Sequence, residues 1–224
     1  MKATRFSVGI ALLGVLVTMA WFAALRFAAE MTAQDARYRA ARLEAGKAGM
    51  EAKELNAAVA SLRAALALEP GNPNLHSDLG RIDYLRVRSG SAVDPESRAA
   101  RQSALAGFRQ AAQLRPTSGH TLTMIALNHY MLGQIDSEFA HALEQSLRWA
   151  PWQPQLQLTC IQLGLATWGA LGPATQRLLS EAIRHQAEWK MTDQKPALIR
   201  LLRAYGRMEL GCLWAGAALG CPGA

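Results

Sequence analysis

The side chains most able to do chemistry in this chain are few and scattered. Five histidines occur, at His76, His120, His129, His141 and His185, and three cysteines, at Cys160, Cys212 and Cys221. No two of the histidines are paired at i, i+4 with a carboxylate in the way a zinc enzyme requires. No phosphate-cradling glycine loop, dinucleotide fingerprint, nucleophile elbow or CxxC pair is present. Nothing in the spacing singles out a general acid–base pair of carboxylates. The pattern therefore points away from an enzyme and calls for no cofactor and no metal. Cys212 and Cys221 lie nine residues apart in the segment GCLWAGAALGC. Outside the cytoplasm they are a candidate disulfide tying down a Gly/Ala-rich tail, and in a reducing compartment they read as two small buried apolar residues. Cys160 reads as a core residue.

Arginines supply most of the excess charge, which is +7 from 24 basic and 17 acidic residues. They are spread along the chain at Arg81, Arg86, Arg88, Arg98, Arg101, Arg109, Arg177, Arg184, Arg200, Arg203 and Arg207, without interleaved aromatics or a nucleic-acid motif. Nucleic acid is not an expected partner. The cluster Arg81, Arg86 and Arg88 is the candidate contact for an anionic partner, and the remainder read as solvated helix faces.

These residues must be held by helices. Half of the 224 residues are hydrophobic, alanine is abundant and β-branched residues are few, which favours helix over sheet. Val8 to Leu25 is an uncharged run, VGIALLGVLVTMAWFAAL, about 27 Å long as a helix and close to the thickness of a bilayer core. Lys2 and Arg5 precede it, Arg26 follows it, and Trp21 and Phe22 stand where an interfacial aromatic belt would lie. The run is longer than the apolar region of a signal peptide and continues as helix-forming sequence, so it reads as an uncleaved anchor. Arg26, Arg37, Arg39, Arg42 and Lys47 on its C-terminal side pull toward a cytoplasmic domain. The short basic N-terminus is the start of an N-in anchor, and the expectation is a domain on the far side of a bacterial inner membrane, in the periplasm.

Beyond the anchor a spacing recurs. It runs Ala58, Leu62, Ala65, Pro70, then Ala104, Phe108, Ala111, Pro116, then Phe139, Leu143, Ser146, Pro151. Each set places small and large residues on one helical face and ends the helix with proline. A second helical stretch precedes each set, carrying Leu43 and Gly46, then Leu79, Gly80 and Tyr84, then Ile125, Ala126 and Tyr130. The segment SGSAVDPESR interrupts the second unit; Ser89, Gly90 and Ser91 break one helix, while Asp94 and Pro95 open the next. Its added residues are expected to lengthen both helices and their turn.

This spacing resembles the tetratricopeptide repeat. With the cytoplasmic tip and transmembrane helix in residues 1–28, the resemblance implies an all-α architecture, an α-solenoid of helix pairs over 29–224. The implied units are 39–72, 73–118, 119–153 and a degenerate pair at 154–190, closed by a cap at 196–213. The tryptophan of the family pattern is absent here, at Arg42, His76 and Leu122, and the tyrosine is displaced by one residue. In the family the first helix of each unit lines a peptide-binding groove. The resemblance carries that role onto Asn74, Ser77, Arg81 and Tyr84 in one unit and onto His120, Thr123, Leu127 and Tyr130 in the next. The combination of anchor, repeats and the stretch from Leu147 to Leu179 is similar to small proteins encoded with exopolysaccharide synthesis and export genes. It implies a protein partner in the cell envelope. A carbohydrate-handling subunit is the alternative, with Trp149, Trp152, Trp168 and Tyr130 stacking on sugar rings, and a scaffold in cytochrome c maturation or secretion is a further one. No pattern dictates an oligomeric state.

Overall fold

Proline, glycine and capping residues divide the chain into helices as the composition demands. The computed structural model describes residues 2–45, 52–88, 90–91, 93–189 and 194–221. Gly46, Lys47 and Ser89 lie outside them. The described residues are helical and contain no strand. The helices are α1 (Lys2–Glu44), α2 (Ala52–Leu68), α3 (Pro73–Arg86), α4 (Pro95–Leu114), α5 (Gly119–Met131), α6 (Ser137–Trp149), α7 (Pro154–Ala166), α8 (Pro173–Glu188), α9 (Gln194–Ala204) and α10 (Met208–Leu219).

Helix α1 is long and apolar enough to cross a membrane, and its 18-residue apolar window has no residue buried against the rest of the chain. It does not stop where the apolar run stops. It continues to Glu44, and its C-terminal half buries Ala29, Ala33, Ala36 and Ala40 against α2. Alanines at this spacing put bare methyl groups on one face and let two backbones approach closely. The first packed pair thus begins at Ala29, ten residues before the expected start at Arg39.

The recurrent positions form the centre of the packing. Ala58, Leu62, Ala65, Ala104, Phe108, Ala111, Phe139, Leu143 and Ser146 are all fully buried. The helices that carry them end at Leu68, Leu114 and Trp149, each two residues before its proline. Pairing is closest where α3 meets α4. A Cβ on Gly80 would lie 2.8 Å from the Ala104 carbonyl oxygen, and one on Gly107 would lie 3.1 Å from the Gly80 nitrogen. Neighbouring pairs meet through α2 on α3, α4 on α5 and α6 on α7, and also through α1 on α3, α5 on α7 and α6 on α8.

Two boundaries differ from expectation. The interruption near Gly90 lengthens α4, to 20 residues, and the turn before it, but α3 at 14 residues is hardly longer than α5 at 13. Asp94 explains where the extra turns go: its carboxylate accepts from the Ser97 amide at 2.8 Å and starts α4 ahead of the buried face. The cap expected as one helix over 196–213 is two. Helix α9 opens two residues earlier, at Gln194, and stops at Ala204, because Gly206 adopts a left-handed φ of 62°. Helix α10 then folds back on α8 and α9, and Cys212 and Cys221 are joined as a disulfide across its end.

Candidate functional site

The first helices of the successive pairs bring part of the expected groove together. Helices α1 and α3 and the start of α5 enclose a cleft of about 350 Å³. Asn74, Ser77, Arg81 and His120 line it, as the family resemblance implied. Glu30, Arg37 and Asp78 complete the lining and were not anticipated from sequence. Their signal was nonetheless present: Glu30 and Arg37 are seven residues apart, two turns along one face of the anchor's continuation.

The cleft is dense with charge, and that charge is internally committed. Arg37 donates from Nε to Asp78 Oδ2 at 2.5 Å and from Nη1 to Glu30. Arg81 donates from Nε to Glu44 Oε1 at 2.6 Å and from Nη2 to the second oxygen of Glu44. The two ion pairs hold both guanidiniums firmly charged, Arg37 above its ordinary pKa through Glu30 and Asp78, and Arg81 through Glu44. Burial acts the other way on Asp78 and pushes its carboxyl up, against the pull of Arg37. Asn74 Oδ1 accepts from Arg115 Nη1 at 3.0 Å, leaving its amide group directed elsewhere. Ser77 and His120 share the cleft, and among the described residues no hydrogen bond joins them.

The other four expected groove residues do not line this cleft. Thr123 is fully buried, and its hydroxyl donates to the Gly119 carbonyl at 2.9 Å and meets Ser146 Oγ at 2.5 Å. It is removed from the groove because α6 packs over it. Tyr84, Leu127 and Tyr130 are half-buried against the main core, and burial raises the Tyr84 phenol. The expected anionic contact also divides. Arg81 turns to Glu44 of α1, whereas Arg86 Nη2 donates to Asn56 Oδ1 of α2 at 3.0 Å, so the two no longer form one patch with exposed Arg88.

A larger cleft, about 630 Å³, lies between α4 and α6 over a floor of α5. Leu122 and Ile125 make its floor, and Arg109 on one side with Glu138, Ala142 and Trp149 on the other make its walls. Arg109 grips Glu138 through two bonds of 2.6 Å and holds that carboxyl below the usual glutamate range. His129 is buried beneath, with Nε2 3.3 Å from Glu138 and Nδ1 3.4 Å from Asp136. Sequence reasoning did not find this cleft, because it depends on α4 and α6 not closing on each other.

The four side chains of the sugar-stacking alternative do not share a platform. Trp149 and Trp152 are 53% and 71% exposed. Trp152 stands edge-on to His185 with ring centres 4.9 Å apart. Trp168 instead stacks on Trp214 at 5.4 Å, and Tyr130 is half-buried. Among the described residues no group of His, Cys, Asp and Glu is arranged to hold a metal ion. Cys160 is a buried free cysteine whose thiol burial pushes up, away from reactivity. No family model, curated protein or solved structure matches the chain.

Proposed function

We propose that this protein is a membrane-anchored, tetratricopeptide-like adaptor that holds a partner protein in a bacterial envelope assembly. One observation carries the reading. The polar cleft on the face of α1, α3 and α5 contains Arg37 of the same helix that bears the apolar span. Anchor and binding face are therefore one rigid element, and a partner held there stays at the membrane. The solenoid reading is supported by the buried recurrent positions, by the proline-ended helices and by the packing of each pair on the next. The Cys212–Cys221 disulfide favours an oxidising compartment and hence a periplasmic domain. The resemblance to proteins encoded with exopolysaccharide genes makes the partner a glycan polymerase or export component.

The test is site-directed crosslinking of the full-length chain in native membranes. A photoreactive residue at Ser77 or His120 is expected to capture one envelope polymerase or export protein. One at Val93, 87% exposed in the distant α3–α4 turn, is expected not to. Filling the cleft by Asn74→Trp should remove the adduct. Equal adducts from all three positions, or none with glycan retained on the purified chain, would overturn the adaptor reading in favour of a carbohydrate-handling subunit.

A further inference from the structure

The alternation of helix direction gives the domain two ends, and one of them begins at the membrane. Helix α1 leaves the apolar span at Leu25 and runs away from it, so α2 returns toward the bilayer. The α2–α3 turn comes back to the level where α1 emerges: Leu68, Glu69 and Pro70 share a cleft with Phe22, Leu25 and Arg26. Glu69 lies 3.6 Å from the Arg26 guanidinium, and Asn72 donates to Glu30 at 3.2 Å.

The next turns continue that edge by direct contact. Arg115, which caps α4, donates to Asn74 at the start of α3. Gly119, at the start of α5, lies so close to Ala150 that a Cβ there would come within 2.5 Å of the alanine methyl. Trp152 follows in the α6–α7 turn and meets His185 and Trp189 at the end of α8. Every turn from α2–α3 to α6–α7 on this edge exposes a large apolar side chain, namely Leu68, Leu114, and then Trp149 and Trp152. Arg115 and Arg148 are exposed beside them, and Arg26 stands at the edge's start. The opposite end exposes Val93 and Ile135 but no exposed tryptophan among the described residues.

Tryptophan at a bilayer interface places its ring among headgroups and its N–H in water, and arginine adds attraction to anionic lipid. We infer that this edge of the domain lies on the surface of the bilayer, with Trp149 and Trp152 seated in the headgroup region as a second membrane contact. The inference rests on the reading of Val8–Leu25 as a span. Continuity with that span, and the complementarity of the exposed Arg115 and Arg148 with anionic lipid, select the bilayer over a protein partner. The contact fixes the tilt of the domain, which a single helical anchor does not.

The experiment uses the full-length chain in vesicles of phosphatidylethanolamine and phosphatidylglycerol at neutral pH. A nitroxide is attached at one introduced cysteine at a time, by Leu16→Cys, Val93→Cys, Leu114→Cys, Trp149→Cys or Trp152→Cys, under non-reducing conditions. Collision with oxygen and with a water-soluble nickel chelate is read for each. The expected result is a deep label at 16, a fully aqueous one at 93, and loss of nickel collisions with gain of oxygen collisions at 114, 149 and 152. Nickel collisions at 149 and 152 equal to those at 93, with 16 deep, overturn the surface contact and leave the anchor standing. An aqueous label at 16 overturns the anchor and this inference with it. Protection of 149 and 152 from both reagents places them against protein and also overturns it. The Leu114 label keeps the test decisive should either tryptophan variant fail to fold.

Discussion

Replacing Gly80 with alanine sets two effects of opposite sign against each other at the tightest helix pair. Gly80 lies in the interior of α3, where alanine is favoured over glycine by about 1 kcal/mol. Against this, the new methyl would stand 2.8 Å from the Ala104 carbonyl oxygen and 3.2 Å from two Phe108 ring carbons. The carbonyl is backbone within α4, and Phe108 is fully buried, so neither has free space to retreat into. Overpacking of this kind costs about 1–3 kcal/mol. The clash wins, and the net loss is about 1 kcal/mol after the propensity gain is set against it. For a domain of this size that is a fall in Tm of about 2–4 °C. Gly71 is the control: nothing lies within 4 Å of its would-be Cβ and its φ is not left-handed. Gly71→Ala should raise Tm slightly by stiffening the unfolded chain, by about 0.4–1 kcal/mol. Both are read by circular dichroism of the detergent-solubilised full-length chain. A higher Tm for Gly80→Ala would mean that propensity prevails and that α3 and α4 do not approach through Gly80 and Gly107.

Three further outcomes follow from the same packing. Cys212→Ser should destabilise the chain by about 2.5 kcal/mol, the chain-entropy value for so short a loop, and should expose a second reactive thiol in unfolded, alkylated protein. Thr123→Val should cost about 1–2 kcal/mol, because the Gly119 carbonyl and Ser146 lose a buried partner, and Thr123→Ser should restore most of it. Glu138 has its folded pKa lowered by Arg109, so its contribution to stability is present above the unfolded value and is lost as pH falls through the folded one. The Tm difference between the wild type and Arg109→Gln should therefore shrink below about pH 4.3, the ordinary glutamate value, and an unchanged difference at pH 3 would refute the pairing.

The repeat spacing was legible because it depends on local rules. Small and large residues three and four apart must share a helical face, and proline must end the helix that precedes it. Hence Ala58, Phe108 and Leu143 could be placed in the interior from sequence alone. Residues whose role depends on a distant element were not legible. Thr123 sits on the helix that should line a groove, yet α6 covers it, and Tyr130 on the same helix is half-buried against the core. From sequence Arg37 reads only as one of the charges flanking the anchor, and its place in the cleft depends on Asp78, some forty positions away, and on Glu30. Gly206 illustrates a third kind: LLRAYGRMEL reads as one apolar face, and only the left-handed glycine shows that the helix ends there.

The continuity of α1 bears on the proposed adaptor role. From Val15 to Glu44 the chain contains neither glycine nor proline, so nothing in the sequence provides a hinge between bilayer and domain. Four buried alanines clamp the second half of that helix to α2. Arg37 stands twelve residues beyond Leu25, about 18 Å along the axis from the edge of the apolar span. On the adaptor reading proposed above, a partner that engages the cleft reaches within about 18 Å of the end of the apolar span, a distance set by helix rise and not by linker length. A flexible linker would let the domain sample many heights and orientations and would dilute the partner's effective concentration. On that reading a stiff helix keeps the cleft at a fixed distance along its own axis from the span, and with the tilt also set by the proposed edge contact it favours a partner that is itself embedded in the membrane or lies flat upon it.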